Sequence, residues 1–68
     1  MNDYQTRVIK EKEELDTKIA ALDCFIQLNP IFKQLSSIEQ TLLLMQKSVM
    51  LSYTEILDSR IEFWRRQK

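Results

Sequence analysis

The sequence predicts an all-α protein: an antiparallel helical hairpin with a short capping helical turn in its connection, assembling as a homo-oligomer. Three observations carry that prediction. The chain has 68 residues, no Gly and a single Pro at position 30, so only one point interrupts helical geometry. Apolar residues recur at helical spacing on both sides of that point. After it they form two lines rather than one, with Ile38, Leu42, Met45, Val49 and Ile56 along the first and Leu43, Met50, Leu57, Ile61 and Trp64 along the second. One further helix covers one line, so the other requires a second copy of the chain or another protein.

The whole chain, 1–68, reads as a single domain. Helix one is expected over about 3–28, with Asn2 or Asp3 able to accept hydrogen bonds from the first free N–H groups. Its apolar line is Val8, Leu15, Ile19, Leu22 and Ile26. The pairs Arg7–Glu11, Lys10–Glu14 and Glu14–Lys18 stand four residues apart on its surface, each contributing a few tenths of a kcal/mol. Lys12 falls where the repeat calls for an apolar residue. It reads as a snorkelling surface lysine, with a polar group facing an inter-helix site as the alternative.

Pro30 ends this helix near Leu28, because it disfavours helical geometry at Asn29 and cannot donate a backbone hydrogen bond. Asn29-Pro30 also starts a short turn over about 30–35, which would place Ile31, Phe32 and Leu35 over Phe25 and Ile26 as an apolar plug. Ser36 with Glu39 forms a capping box for a long helix over about 37–66. Antiparallel packing through this connection sets Leu22 against Leu42, Ile19 against Met45, Leu15 against Val49 and Val8 against Ile56. The second line, Leu43, Met50, Leu57, Ile61 and Trp64, then becomes the oligomer interface. Ser48, Ser52 and Ser59 sit near the seam, where small polar groups allow close approach or line a pocket. The long helix is expected to overhang, leaving Phe63 and Trp64 without cover in one chain.

Two helices alone bury too little apolar surface to offset the chain entropy lost on folding, and a domain this small ordinarily adds disulfides, a metal or self-association. Cys24 is the only cysteine and there is no His, which argues against the first two and leaves the third. A lone thiol also fits a reducing compartment. Cys24 itself reads as a small, at least half-buried hydrophobe.

Ten basic and ten acidic residues cancel, so no global field attracts nucleic acid or an anionic membrane. The balance is uneven along the chain: residues 1–28 carry four basic against six acidic side chains, and the remainder carries six against four. Arg65, Arg66 and Lys68 concentrate the positive charge at one end. No apolar run approaches the ~20 residues of a membrane span, and the charged N-terminal stretch lacks the apolar core of a signal peptide. The expected location is cytoplasmic.

Catalysis is not expected, for want of a His, a glycine loop or a rigid acidic cluster. No cofactor or metal is expected either: Glu11, Glu13, Glu14 and Asp16 point in different directions on a helix and read as a solvated face. Arg60, Arg65, Arg66 and Lys68 hint at nucleic acid, but a basic helix C-terminus also complements the helix dipole without any ligand. A small nucleotide is harder to dismiss. The hairpin brings Tyr4, Arg7 and Glu11 beside Tyr53, Arg60 and Trp64 at its open end, with Arg65 close by. Aromatic faces there would stack a base and guanidinium forks would take phosphate. From the residues alone, interface packing with arginines at its rim is the stronger account of that cluster.

The run Arg7-Val8-Ile9-Lys10-Glu11-Lys12-Glu13-Glu14-Leu15-Asp16, followed by Gln46, Met50, Tyr53, Leu57 and Arg60-Ile61, resembles a family of small tailed-phage proteins labelled as related to a crAss-like phage protein. The resemblance spans about Tyr4 to Ile61. It implies a phage or prophage accessory gene expressed inside a bacterial host. In size and architecture the chain is also similar to helical-hairpin sponges, anti-defence proteins that oligomerise and sequester cyclic nucleotides or ADP-ribose derivatives. That likeness is one of architecture and carries over no residue, but it favours reading the residues that converge at the hairpin's open end, Tyr4, Arg7, Tyr53, Arg60, Trp64 and Arg65, as a ligand-binding set, with a second copy and a nucleotide-derived signal as partners. Two rivals remain: a helical module that inhibits or adapts a host defence protein or a phage protein, and a small DNA-associated regulator.

Overall fold

The structure, a computed structural model, describes residues 2–67. Three helices follow in order: α1 (Asp3–Leu28), α2 (Pro30–Gln34) and α3 (Ser37–Arg66). Each begins on a side chain that accepts from a free backbone N–H. Asn2 accepts from Gln5 at 2.9 Å, Asn29 from Ile31 at 2.9 Å, and Ser36 from Glu39 at 3.2 Å. Pro30 occupies the first turn of α2, where its missing N–H costs nothing.

The single turn of α2 is tied to α3 by Gln40, whose amide donates to the carbonyls of Phe32 at 3.0 Å and Leu35 at 3.1 Å. Carbonyls at the end of so short a helix have no partner of their own, and this side chain supplies one. Phe25 meets Phe32 edge to face at 6.2 Å, and Leu35 is half-buried, whereas Ile31 points outward. The plug over the connection is therefore made by two of the three residues expected in it.

α1 and α3 pack antiparallel into a rod 51 Å long and 15 Å across. The core is Val8, Leu15, Leu57 and Ile61, with Ile9, Ile19, Met50 and Trp64 against it. This reverses the expected assignment of the two apolar lines on α3. Leu57 and Ile61 lie inside the hairpin and Leu43, Met50 and Trp64 are half-buried, so they are not an outer oligomer interface. The line expected to face α1, comprising Ile38, Leu42, Met45, Val49 and Ile56, is 57–71% exposed. The pairings of Leu22 with Leu42, Ile19 with Met45, Leu15 with Val49 and Val8 with Ile56 are likewise replaced by another register.

Polar partners account for the reversal. On the inner line, Lys47 pairs with Asp23, Thr54 donates to Asp16, and Arg60 donates to Tyr4. All three α3 residues stand at helical spacing with Met50, Leu57 and Ile61, so one rotation of α3 satisfies the apolar seam and these polar groups together. The opposite rotation would bury the outer line, whose Ser52 and Ser59 offer α1 less apolar volume.

Lys12 takes the inter-helix role rather than the snorkelling one. It is partly buried and its ammonium lies 2.7 Å from Asp16. That hydrogen bond, aided by the nearby Asp58 carboxylate and opposed by desolvation, raises the Lys12 pKa. Lys12 and Thr54 together hold Asp16 below the usual carboxylate range, and Lys47 and Gln27 do the same for Asp23. Cys24 is exposed rather than buried, because it lies on the face of α1 turned away from α3. Among the described residues no helix is long and apolar enough to cross a membrane.

Candidate functional site

The open end of the rod is closed by a three-residue cluster. Tyr4, in the first turns of α1, sets its ring 5.8 Å from that of Trp64 at 61°, an edge-on arrangement. Arg60, one turn before Trp64 on α3, lies with its guanidinium carbon 5.5 Å from the Tyr4 ring centre and 5.9 Å from that of Trp64. The same guanidinium donates to the Tyr4 hydroxyl. Trp64 is thus covered by Tyr4 within one chain, against the expected overhang, while Phe63 beside it is exposed.

The remaining predicted residues stand apart from this cluster. Arg7 is exposed and its guanidinium donates to the backbone oxygen of Asp3 at 3.4 Å. Tyr53 is exposed two helical turns before Arg60, about 10 Å along the axis. Arg65 is exposed and rotated by about 100° from Trp64. Of the six residues expected to bind a ligand, three meet. Arg66, further along the same end, stands 4.0 Å from Glu62, and Lys68 lies outside the described residues.

Next to the cluster runs an open groove on α3, lined by Ser52, Glu55, Ile56, Ser59, Arg60, Phe63 and Trp64. Its serines were expected near a seam or pocket, but Ile56 was expected against Val8 of α1 and Glu55 was given no role. The signal that would have found them is the spacing of Ser52, Ile56, Ser59 and Phe63, which places them on one helix face beside Arg60. Chemically the groove offers two hydroxyls and a carboxylate for hydrogen bonds, a guanidinium for an anion, and aromatic surface for a flat ring.

A helical hairpin with an aromatic–guanidinium cluster at one end and an exposed apolar line on its longer helix has the features of a small binding module. Comparison with known proteins agrees in scale and source. The chain belongs to the Sequestin family, which it matches over residues 2–63. It is 45% identical over 58 residues to an uncharacterized 7.5 kDa protein from the denB–rIIB intergenic region of Enterobacteria phage T4, covering 85% of this chain and 89% of that protein. Both findings support a small phage accessory protein. No solved structure matches the chain.

Proposed function

We propose that the protein is a non-enzymatic phage anti-defence protein that binds and sequesters a nucleotide-derived immune signal of the cyclic-nucleotide or ADP-ribose type. In this reading it acts as a homo-oligomer in the cytoplasm of the infected bacterium, as one of the small tailed-phage accessory proteins related to a crAss-like phage protein. The observation that carries the reading is the convergence of Tyr4, Arg60 and Trp64 beside an open groove. Stacking surface and a forked cation within one helical turn are what a base and a phosphate require. The Sequestin family name accords with a sequestering role. Calorimetric titration with a panel of cyclic di- and trinucleotides and cyclic ADP-ribose isomers tests it. Saturable heat that Arg60→Ala and Trp64→Ala remove is the expected result, and no heat with any of them rejects the reading.

A second reading is favoured by the exposed apolar line on α3: a helical module that inhibits or adapts a host or phage protein by docking that line in a groove. It predicts a chain that remains single at working concentration and captures a stoichiometric partner.

A further inference from the structure

Three cations form ion pairs among the described residues: Lys12 with Asp16 at 2.7 Å, Lys47 with Asp23, and Arg66 with Glu62 at 4.0 Å. Each of these charges is compensated where it stands. Arg60 is held in another way. Its guanidinium donates to a phenol, the Tyr4 hydroxyl, and among the described residues no carboxylate pairs with it. A neutral acceptor fixes a guanidinium fork without cancelling its charge, whereas a carboxylate does both. The walls of the neighbouring groove come from α3 alone and include Arg60 and Trp64, but not Tyr4, which reaches these two residues from α1.

We propose that Tyr4 is a positioning residue rather than a wall of the ligand site: it holds the Arg60 guanidinium and the Trp64 indole from the α1 side, so that a phosphate-bearing ligand meets a cation already oriented and still fully charged. The proposal deepens the nucleotide-binding reading and rests on it for the ligand; the ordering of Arg60 by Tyr4 stands apart from that reading. A long side chain left to itself on an exposed helix samples many rotamers, and ordering it at the moment of binding opposes affinity. Orienting it beforehand removes that cost.

Both ends of the hydrogen bond spring from anchored backbone. Tyr4 lies in the first turn of α1, between the Asn2 cap, which accepts from the Gln5 N–H at 2.9 Å, and the buried core residue Val8 one turn on. Arg60 directly precedes Ile61, another member of the core. The guanidinium carbon is 5.5 Å from the Tyr4 ring centre and 5.9 Å from that of Trp64, so two rings confine it as well as the hydroxyl. Tyr4 takes one N–H of the fork and leaves the others for an anion. The two parts of the tyrosine side chain have separate tasks. Its hydroxyl orients Arg60, and its ring, edge-on to the indole at 5.8 Å, covers Trp64. Tyr4→Phe removes the first task and keeps the second, and Tyr4→Leu removes both.

Nitrogen spin relaxation of the Arg60 Nε–H group, measured without ligand, comes first. A high order parameter is expected in the wild type, falling in Tyr4→Phe toward that of the exposed Arg65 while helicity is unchanged; equal order in both chains overturns the proposal. Trp64 is the only tryptophan, so its fluorescence reports on the ring: emission should stay in place in Tyr4→Phe and move to the red in Tyr4→Leu, and an emission that Tyr4→Leu leaves unmoved overturns the covering role. Cyclic ADP-ribose and cyclic di-AMP are then titrated. Tyr4→Phe is expected to weaken whichever binds by about fivefold, the contribution of one neutral hydrogen bond, and to have no further effect on an Arg60→Lys background, which keeps the charge without the fork. Additive losses would mean that Tyr4 touches the ligand itself, and undiminished binding by Tyr4→Phe would mean that Arg60 needs no orienting; either overturns the proposal. If neither nucleotide binds the wild type, the nucleotide reading fails, and the Arg60 order parameter still decides whether Tyr4 positions it.

Discussion

Leu57→Ala is the sharpest probe of which face of α3 points inward. Leu57 is 1% exposed and surrounded by Val8, Leu15 and Ile61. Removing its branched end deletes buried methyl groups and leaves a void, which for Leu→Ala costs roughly 2–5 kcal/mol. A chain of 68 residues has a total stability of only about 3–10 kcal/mol, so the variant should lose a large fraction of it. Ile56→Ala, one residue away but 59% exposed, should change the stability of the single chain by no more than about 0.5 kcal/mol. Urea unfolding followed by far-UV circular dichroism at low protein concentration reads the difference as a shift in midpoint at constant slope. An Ile56→Ala cost equal to or above that of Leu57→Ala would refute the argument, because it would mean that the outer line faces α1 after all.

Three further outcomes follow from the same structure. Ser36→Ala removes the acceptor for the Glu39 N–H and should cost about 1 kcal/mol in the same urea assay, with Ser36→Gly costing only a few tenths. Stability should fall in acid: Asp16 and Asp23 have lowered pKa values in the folded chain, so their contribution is complete above the ordinary carboxylate value of about 4 and lost as pH drops through the folded values. A pH series of thermal melts should show that slope reduced in Asp23→Asn. Lys12 works in the other direction, its raised pKa giving stability that is present below about pH 10 and lost as pH climbs through the folded value; Lys12→Met should flatten the alkaline limb of the same melts.

Much of the fold was legible because its determinants are local. Asn2, Asn29 and Ser36 announce helix starts through their own hydrogen-bonding groups, and each accepts the backbone N–H that its position requires. The choice between the two lines on α3 was not legible from apolar spacing, since both keep a helical repeat and run side by side, with Leu42, Val49 and Ile56 each next to Leu43, Met50 and Leu57. It is decided by partners distant in sequence: Asp23 with Lys47, Asp16 with Thr54, Tyr4 with Arg60. A register search that scored these polar matches together with apolar ones would have found it. Lys12 carried part of that information, because a lysine at a seam position calls for an acid nearby. At the site, Tyr4, Arg60 and Trp64 were within reach of sequence reasoning since any antiparallel hairpin brings the ends of α1 and α3 together. Arg7, Tyr53 and Arg65 were not separable from them, because rotation about the helix axis decides which side chains converge.

The four buried residues Val8, Leu15, Leu57 and Ile61 all lie in the half of the rod remote from its connection. The two long helices are therefore clasped at their free ends, while the joint contributes a Gln40 tether and one aromatic contact. A chain clipped by protease between Lys33 and Gln34 should not fall apart: its two pieces carry complementary halves of the buried seam. Separately expressed fragments covering 1–33 and 34–68 should re-form the hairpin on mixing.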